Sequence, residues 1–287
     1  MITMNNEFYI GWMPKAPQGF ARHVKRVLLT ILPVVLLTGA TLAWLQKRFS
    51  TASFEFGKLT EVTGVYFKDP APMLRVNAGN DIWGNASYIS IPLVGYGKHG
   101  ANGIIREIES GHKTSLDHKQ VILKGTLLYT DGRTIMQVSS NDIASVKIIP
   151  GSTVETATVQ KDLGFRKVKG EIIDPKCYFG VMKPGEGKVH RDCAIRCILG
   201  GIPPMMHVWN DKGESNYYLL VSSTGIDINK AVQDYVAEPV ELEARLVQYG
   251  DWTLMYVADM KNIRHISSLQ LFRPASTIIA CGTGCTQ

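Results

Sequence analysis

Apolar and polar positions divide the chain into two regimes. From Val27 to Leu45 the sequence VLLTILPVVLLTGATLAWL carries no charged side chain. At about 1.5 Å per residue, such a run crosses a hydrocarbon core of roughly 30 Å as one helix. Beyond about residue 50 the apolar positions alternate with polar ones in short runs, bounded by Gly, Pro, Asp and Asn, which is the pattern of half-buried strands. The expected organisation is a leader over 1–26, a transmembrane helix over 27–46, and a mainly β remainder.

Lys15, Arg22, Lys25 and Arg26 precede the apolar run, with Glu7 as an acid in the leader, while Lys47 and Arg48 follow it. The bias predicts a cytoplasmic N-terminus and an exported C-terminal part. Pro33 and Gly39 inside the run are residues that membrane helices tolerate. Thr41-Leu42-Ala43 would offer a cleavage site if the segment were a signal peptide, but the polar leader and the apolar run are both long for one, which favours an uncleaved anchor. Trp12, Phe20 and Trp44 suit the interfacial zone, and Phe8 to Trp12 suits the membrane face or a partner subunit.

The exported part repeats itself. Val62 to Pro70 and Val168 to Pro175 each read as a strand ending at Asp-Pro, and Ala86–Ile91 matches Asn216–Val221 as the second strand of each copy. Each copy closes with a hairpin. Val121–Tyr129 turns at Asp131-Gly132 into Thr134–Val138, and Val240–Val247 turns at Tyr249-Gly250-Asp251 into Thr253–Val257. Five or so short strands per copy, with a longer connection before the hairpin, predict two tandem OB-like small β-barrels, over 55–150 and 163–270, with a C-terminal tail over 271–287. A single intertwined sandwich is the alternative. Gly103–Glu109 and Ile228–Tyr235 have apolar spacing suited to a short helix in that connection, and residues 150–162 form the expected joint.

The copies differ by an insertion after Asp174-Pro175, which holds three of the five cysteines. His190 to Leu199 reads as a helix ended by Gly200-Gly201 and Pro203-Pro204. On it His190, Cys193 and Cys197 share one face, and Cys177 can supply a fourth donor. A Cys3His set suits tetrahedral zinc, with thiolates near 2.3 Å, and a closed site of this kind is structural rather than catalytic. Copper(I) is the other metal that the donors admit, with Met182, Met205, Met206 and His207 nearby in sequence. An iron–sulfur cluster ranks below both, since the leader lacks twin arginines, and no Cys-x-x-Cys-His exists for haem attachment. The competing account is disulfide bonding, with Cys177 joined to Cys193 or Cys197, and Cys281 joined to Cys285. An odd cysteine total leaves that account with one thiol over. Glu171, Asp174 and Asp192 flank the cluster as solvated or supporting groups.

Residues 166–222 resemble a group of small exported bacterial domains of unassigned function. Their pattern of Cys, a Gly-rich stretch, His-x-x-Cys-Ala-x-x-Cys and Gly-x-Pro is met by Cys177, Gly185, Gly187, His190, Cys193, Ala194, Cys197, Gly201 and Pro203. The resemblance implies that the four donors act as one unit, and implies no activity.

The net charge of +6 is not gathered into a basic stripe with interleaved aromatics, which argues against a nucleic-acid partner. No phosphate loop, serine elbow or His-Glu-x-x-His is present, so a catalytic role is not expected. These features together predict a bacterial inner-membrane protein with periplasmic barrels. Its expected role is as an accessory or scaffold subunit of a respiratory or redox complex, whose partners are membrane lipid and other subunits. A metal-handling or redox protein and a periplasmic module for an oligosaccharide or peptide are the alternatives.

Overall fold

The computed structural model describes residues 16–46, 52–84, 86–139, 146–153, 160–209, 214–224 and 228–271. The expectations for Phe8 to Trp12 and for a Cys281–Cys285 disulfide lie outside these residues. The chain forms two compact units, divided after Ser50.

The first unit contains helix α1, Gln18–Gln46, 29 residues with Pro33 inside, roughly 44 Å at 1.5 Å per residue. It starts upstream of the apolar run, so Arg22, Lys25 and Arg26 occupy its early turns. None of its apolar window is buried by protein, and it is long and apolar enough to span a membrane.

The second unit is mainly β. Its first barrel uses β1 (Ser53–Phe54), β2 (Thr60–Phe67), β3 (Met73–Asn80), β4 (Ala86–Gly95), α2 (Asn102–His112), β5 (Lys119–Thr130), β6 (Arg133–Val138) and β7 (Lys147–Thr153). Strands run β5-β2-β3-β4-β6, and a β5–β6 pairing closes the cylinder. β4 and β6 pair in parallel, and the other pairs around the barrel are antiparallel. The helix before the closing hairpin completes an OB-type barrel. Asp131 and Gly132 both have positive φ, 45° and 74°, as a two-residue type I′ turn requires.

The second barrel repeats this order with β8 (Gln160–Ile173), β9 (Met205–Trp209), β10 (Ser215–Ser222), β11 (Pro239–Tyr249) and β12 (Trp252–Val257). The path β12-β10-β9-β8-β11 closes through β11–β12, again with one parallel pair, β10 with β12. β13 (Ile263–His265) extends the sheet beside β11, and a single turn, α4 (Ser268–Leu271), follows it.

One expected helix is absent. Ile228–Tyr235 forms hydrogen-bonded turns and a 3₁₀ segment at Gln233–Tyr235. The place it would fill is taken by α3 (Arg191–Leu199), from the insertion between the first two strands. Ala194 and Ile198 of α3 enter the core of the second barrel with Ile228 and Val232, as Ile105 and Ile108 of α2 enter the core of the first. Asn229 Nδ2 donates to the carbonyls of Ile198 and Ile202, at 2.6 and 2.9 Å.

A third apolar cluster joins the barrels. It combines Val65, Phe67, Met73, Val94, Leu128 and Ile135 of the first with Ile173, Phe179, Leu219 and Trp252 of the second. Cys177 and Cys197 belong to this shared core.

Candidate metal centre

The centre starts where β8 leaves its barrel. Asp174, fully buried, turns the chain: its Oδ1 accepts from Lys176 N at 2.9 Å and its carbonyl from Tyr178 N at 3.0 Å. The next turn, Cys177–Val181, is of the wide π type and includes Gly180 at φ 133°. A Cβ there would press on the Ser53 backbone at 2.9 Å, so β1 lies directly against the cysteine turn. Gly185 then brings the loop back over Cys177, where a Cβ would stand 2.8 Å from the Cys177 carbonyl oxygen.

After the 3₁₀ turn Lys188–His190, helix α3 presents Cys193 and Cys197 on one face, in line with His190. The donors meet in two groups. The donor atoms of Cys177, His190 and Cys193 lie within 4.8 Å of one another, and so do those of Asp174, Cys177 and Cys197. The expected foursome of Cys177, His190, Cys193 and Cys197 is thus divided between two trios that share Cys177, and Asp174 joins the second. All three cysteines are free thiols. Cys177, Cys197, His190 and Asp174 are buried and Cys193 is half-buried.

Two buried polar atoms in this group, His190 Nε2 and Asp174 Oδ2, have no hydrogen-bond partner among the described residues. Leaving such atoms unsatisfied costs on the order of 1–3 kcal/mol each, and metal ligation is one way to satisfy them.

The first barrel reaches in through the loop that follows β4. Lys98 Nζ donates to Cys193 Sγ at 3.1 Å, which raises the lysine pKa. Lys176 Nζ, buried, donates to the Gly95 and Gly97 carbonyls at 2.6 and 2.8 Å. Gly100 N donates to the Gly200 carbonyl at 2.9 Å, and a Cβ on Gly100 would run into the Gly201 carbonyl.

The hydrogen bond that the protonated Cys177 thiol donates to the Cys197 side chain, together with burial and the Asp174 carboxylate, pushes the Cys177 thiol far up. Burial pushes His190 down, keeping its imidazole neutral and able to ligate. Metal uptake must therefore displace thiol protons, which makes it pH-dependent.

Sequence reasoning treated Asp174 as a solvated or supporting group, yet it is fully buried inside a donor trio. The available signal was its position, ending a buried strand three residues before a cysteine. Asp192 is exposed, as expected, whereas Glu171 is buried on β8. Met182 is largely exposed, Met205 and Met206 fill the cores, and His207 belongs to a separate network. There His207 Nε2 shares hydrogen bonds with Tyr178 Oη (3.2 Å) and Ser215 Oγ (2.9 Å), and the Tyr217 hydroxyl donates to Asp131 at 2.5 Å.

No protein-family model matches the chain, and no curated protein matches it. Among solved structures, a deletion mutant of the single-stranded DNA binding protein from Thermus aquaticus matches at 10% identity. The match covers 76% of this chain and 90% of that one, with a TM-score of 0.21. At that TM-score the likeness carries no argument, and the barrel assignment rests on strand order and pairing.

Proposed function

We propose that this chain is a single-pass protein of the bacterial inner membrane whose barrels stand on the periplasmic side. In this reading it is a non-catalytic accessory or scaffold subunit of a larger, respiratory or redox, membrane complex, and it contacts membrane lipid and other subunits. A thiophilic metal held by the group of Cys177, His190, Cys193 and Cys197, whose donors meet in two trios that share Cys177, stabilises the barrel module. The observation that carries the metal reading is the convergence of buried, partly unsatisfied donors at the junction of the two barrels. The apolar helix supports the anchor, and the basic residues ahead of it support the orientation. Zinc is the metal that a single closed Cys3His site takes.

A second reading, metal handling with copper, is favoured by one feature. Cys193 is half-buried, leaving the centre an edge through which an ion can be exchanged. The test is elemental analysis of the full chain purified from membranes in mild detergent, with free thiols counted after denaturation. Zinc or copper bound stoichiometrically, and abolished by Cys177→Ser, supports the metal centre. Absence of metal with at most one free thiol identifies disulfides and overturns it. An ion that leaves only on unfolding supports the scaffold reading, and one that a chelator removes from the native chain supports handling.

A further inference from the structure

The division of the donors into two trios has a consequence that a single closed site does not explain. Resting on the metal reading above, we propose that the centre binds two monovalent soft cations, of the copper(I) class, with the Cys177 thiolate bridging them. One ion lies among Cys177, His190 and Cys193. The other lies between the sulfurs of Cys177 and Cys197, with the Asp174 carboxylate at its edge.

Two independent observations lead here. The first is geometry. Donor atoms are within 4.8 Å of one another inside each trio, and Cys177 is the member common to both. A single ion seated in the first trio leaves Asp174 and Cys197 without a role, and one seated in the second leaves His190 and Cys193 without one. The unsatisfied His190 Nε2 and Asp174 Oδ2 atoms belong to different trios, so a single ion satisfies only one of them. Two ions use every donor, and a thiolate has the lone pairs to bridge them.

The second is donor chemistry. The two trios gather three sulfurs, one imidazole and one carboxylate, and Lys98 Nζ donates to Cys193 Sγ at 3.1 Å. Sulfur donors divided between two adjoining sites suit a pair of soft monovalent ions, and thiolates select copper(I) among such ions. Uptake of two ions by the three thiols releases three protons and changes no oxidation state.

The test is anaerobic titration of the full-length, reduced chain in detergent with copper(I) supplied as its bicinchoninate complex, followed by elemental analysis. The expected saturation is two copper(I) ions per chain. Cys193→Ser and Cys197→Ser are each expected to retain one ion, and Cys177→Ser none. Saturation of the parent chain at one ion overturns the proposal, as does loss of all copper in Cys193→Ser, a substitution at a half-exposed position that circular dichroism checks for folding. Failure of the parent chain to bind copper or zinc at all overturns the metal reading itself, so the two failures are distinguishable.

Discussion

Glu171 sits on β8 directly opposite His207 on β9, with Oε1 accepting the Gly187 N–H at 2.6 Å. Burial pushes its carboxyl up to about 7; the Gly187 hydrogen bond opposes this and the nearby Glu186 charge adds to it. The folded chain thus binds a proton that the unfolded chain, with its carboxyl near 4.5, releases earlier. Stability from this group is full below about pH 4.5 and is lost as pH rises through about 7, at most on the order of 3 kcal/mol. The melting temperature of the full chain is expected to fall between about pH 5 and about pH 8, and Glu171→Gln to remove most of that fall. An identical slope in the variant would refute the assignment. At the candidate metal centre, the helical spacing of His190, Cys193 and Cys197 was legible because it needs only local geometry. Asp174 left one local signal, its place at the end of a buried strand three residues before Cys177, but grouping it with Cys197 needs the fold. Lys98 was invisible, being supplied by the other barrel.

At the scale of elements, the closing hairpins were legible from alternation and the Asp-Gly turn, and β5–β6 and β11–β12 appear where expected. The second strand of each barrel is β3 or β9, so Ala86–Ile91 and Asn216–Val221, expected as second strands, are in fact the third, β4 and β10. β3 buries only its first residues, and its outer half is exposed on both faces, so no alternation marks it. β9, in turn, follows the long insertion. The helix misassigned to Ile228–Tyr235 shows the limit of local periodicity. Its apolar residues are buried, but against α3, which already covers that end of the barrel. For α1, the basic residues on its early turns predict an N-terminus on the cytoplasmic side. A phosphatase reporter that is active only when exported should be active when fused after Gln287 and inactive when fused just before α1. The reverse pattern would invert the topology.

At the scale of the whole β unit, the two hairpin turns grip one another's barrels. Trp252, buried at the second turn, donates from Nε1 to the Ser90 carbonyl of β4 at 2.8 Å, while Asp251 Oδ1 accepts from Ser90 N at 3.0 Å. From the first turn, Arg133 donates to the Asp251 carbonyl at 2.5 Å and places its guanidinium over the Trp252 ring. The shared apolar core lies behind these contacts. Trp252→Ala removes a large buried ring and a cross-barrel hydrogen bond, so it is expected to cost about 3–5 kcal/mol in denaturant unfolding. A loss under about 1 kcal/mol would show that the barrels do not depend on this junction.

The donor group around Cys177 is proposed to hold a metal through cysteine sulfur. The most direct measurement is X-ray absorption at the zinc and copper edges of the full chain purified from membranes. It is expected to show sulfur scatterers near 2.3 Å, with a nitrogen contribution that disappears in His190→Ala. An absence of both metals, or a metal surrounded only by oxygen and nitrogen, would contradict it.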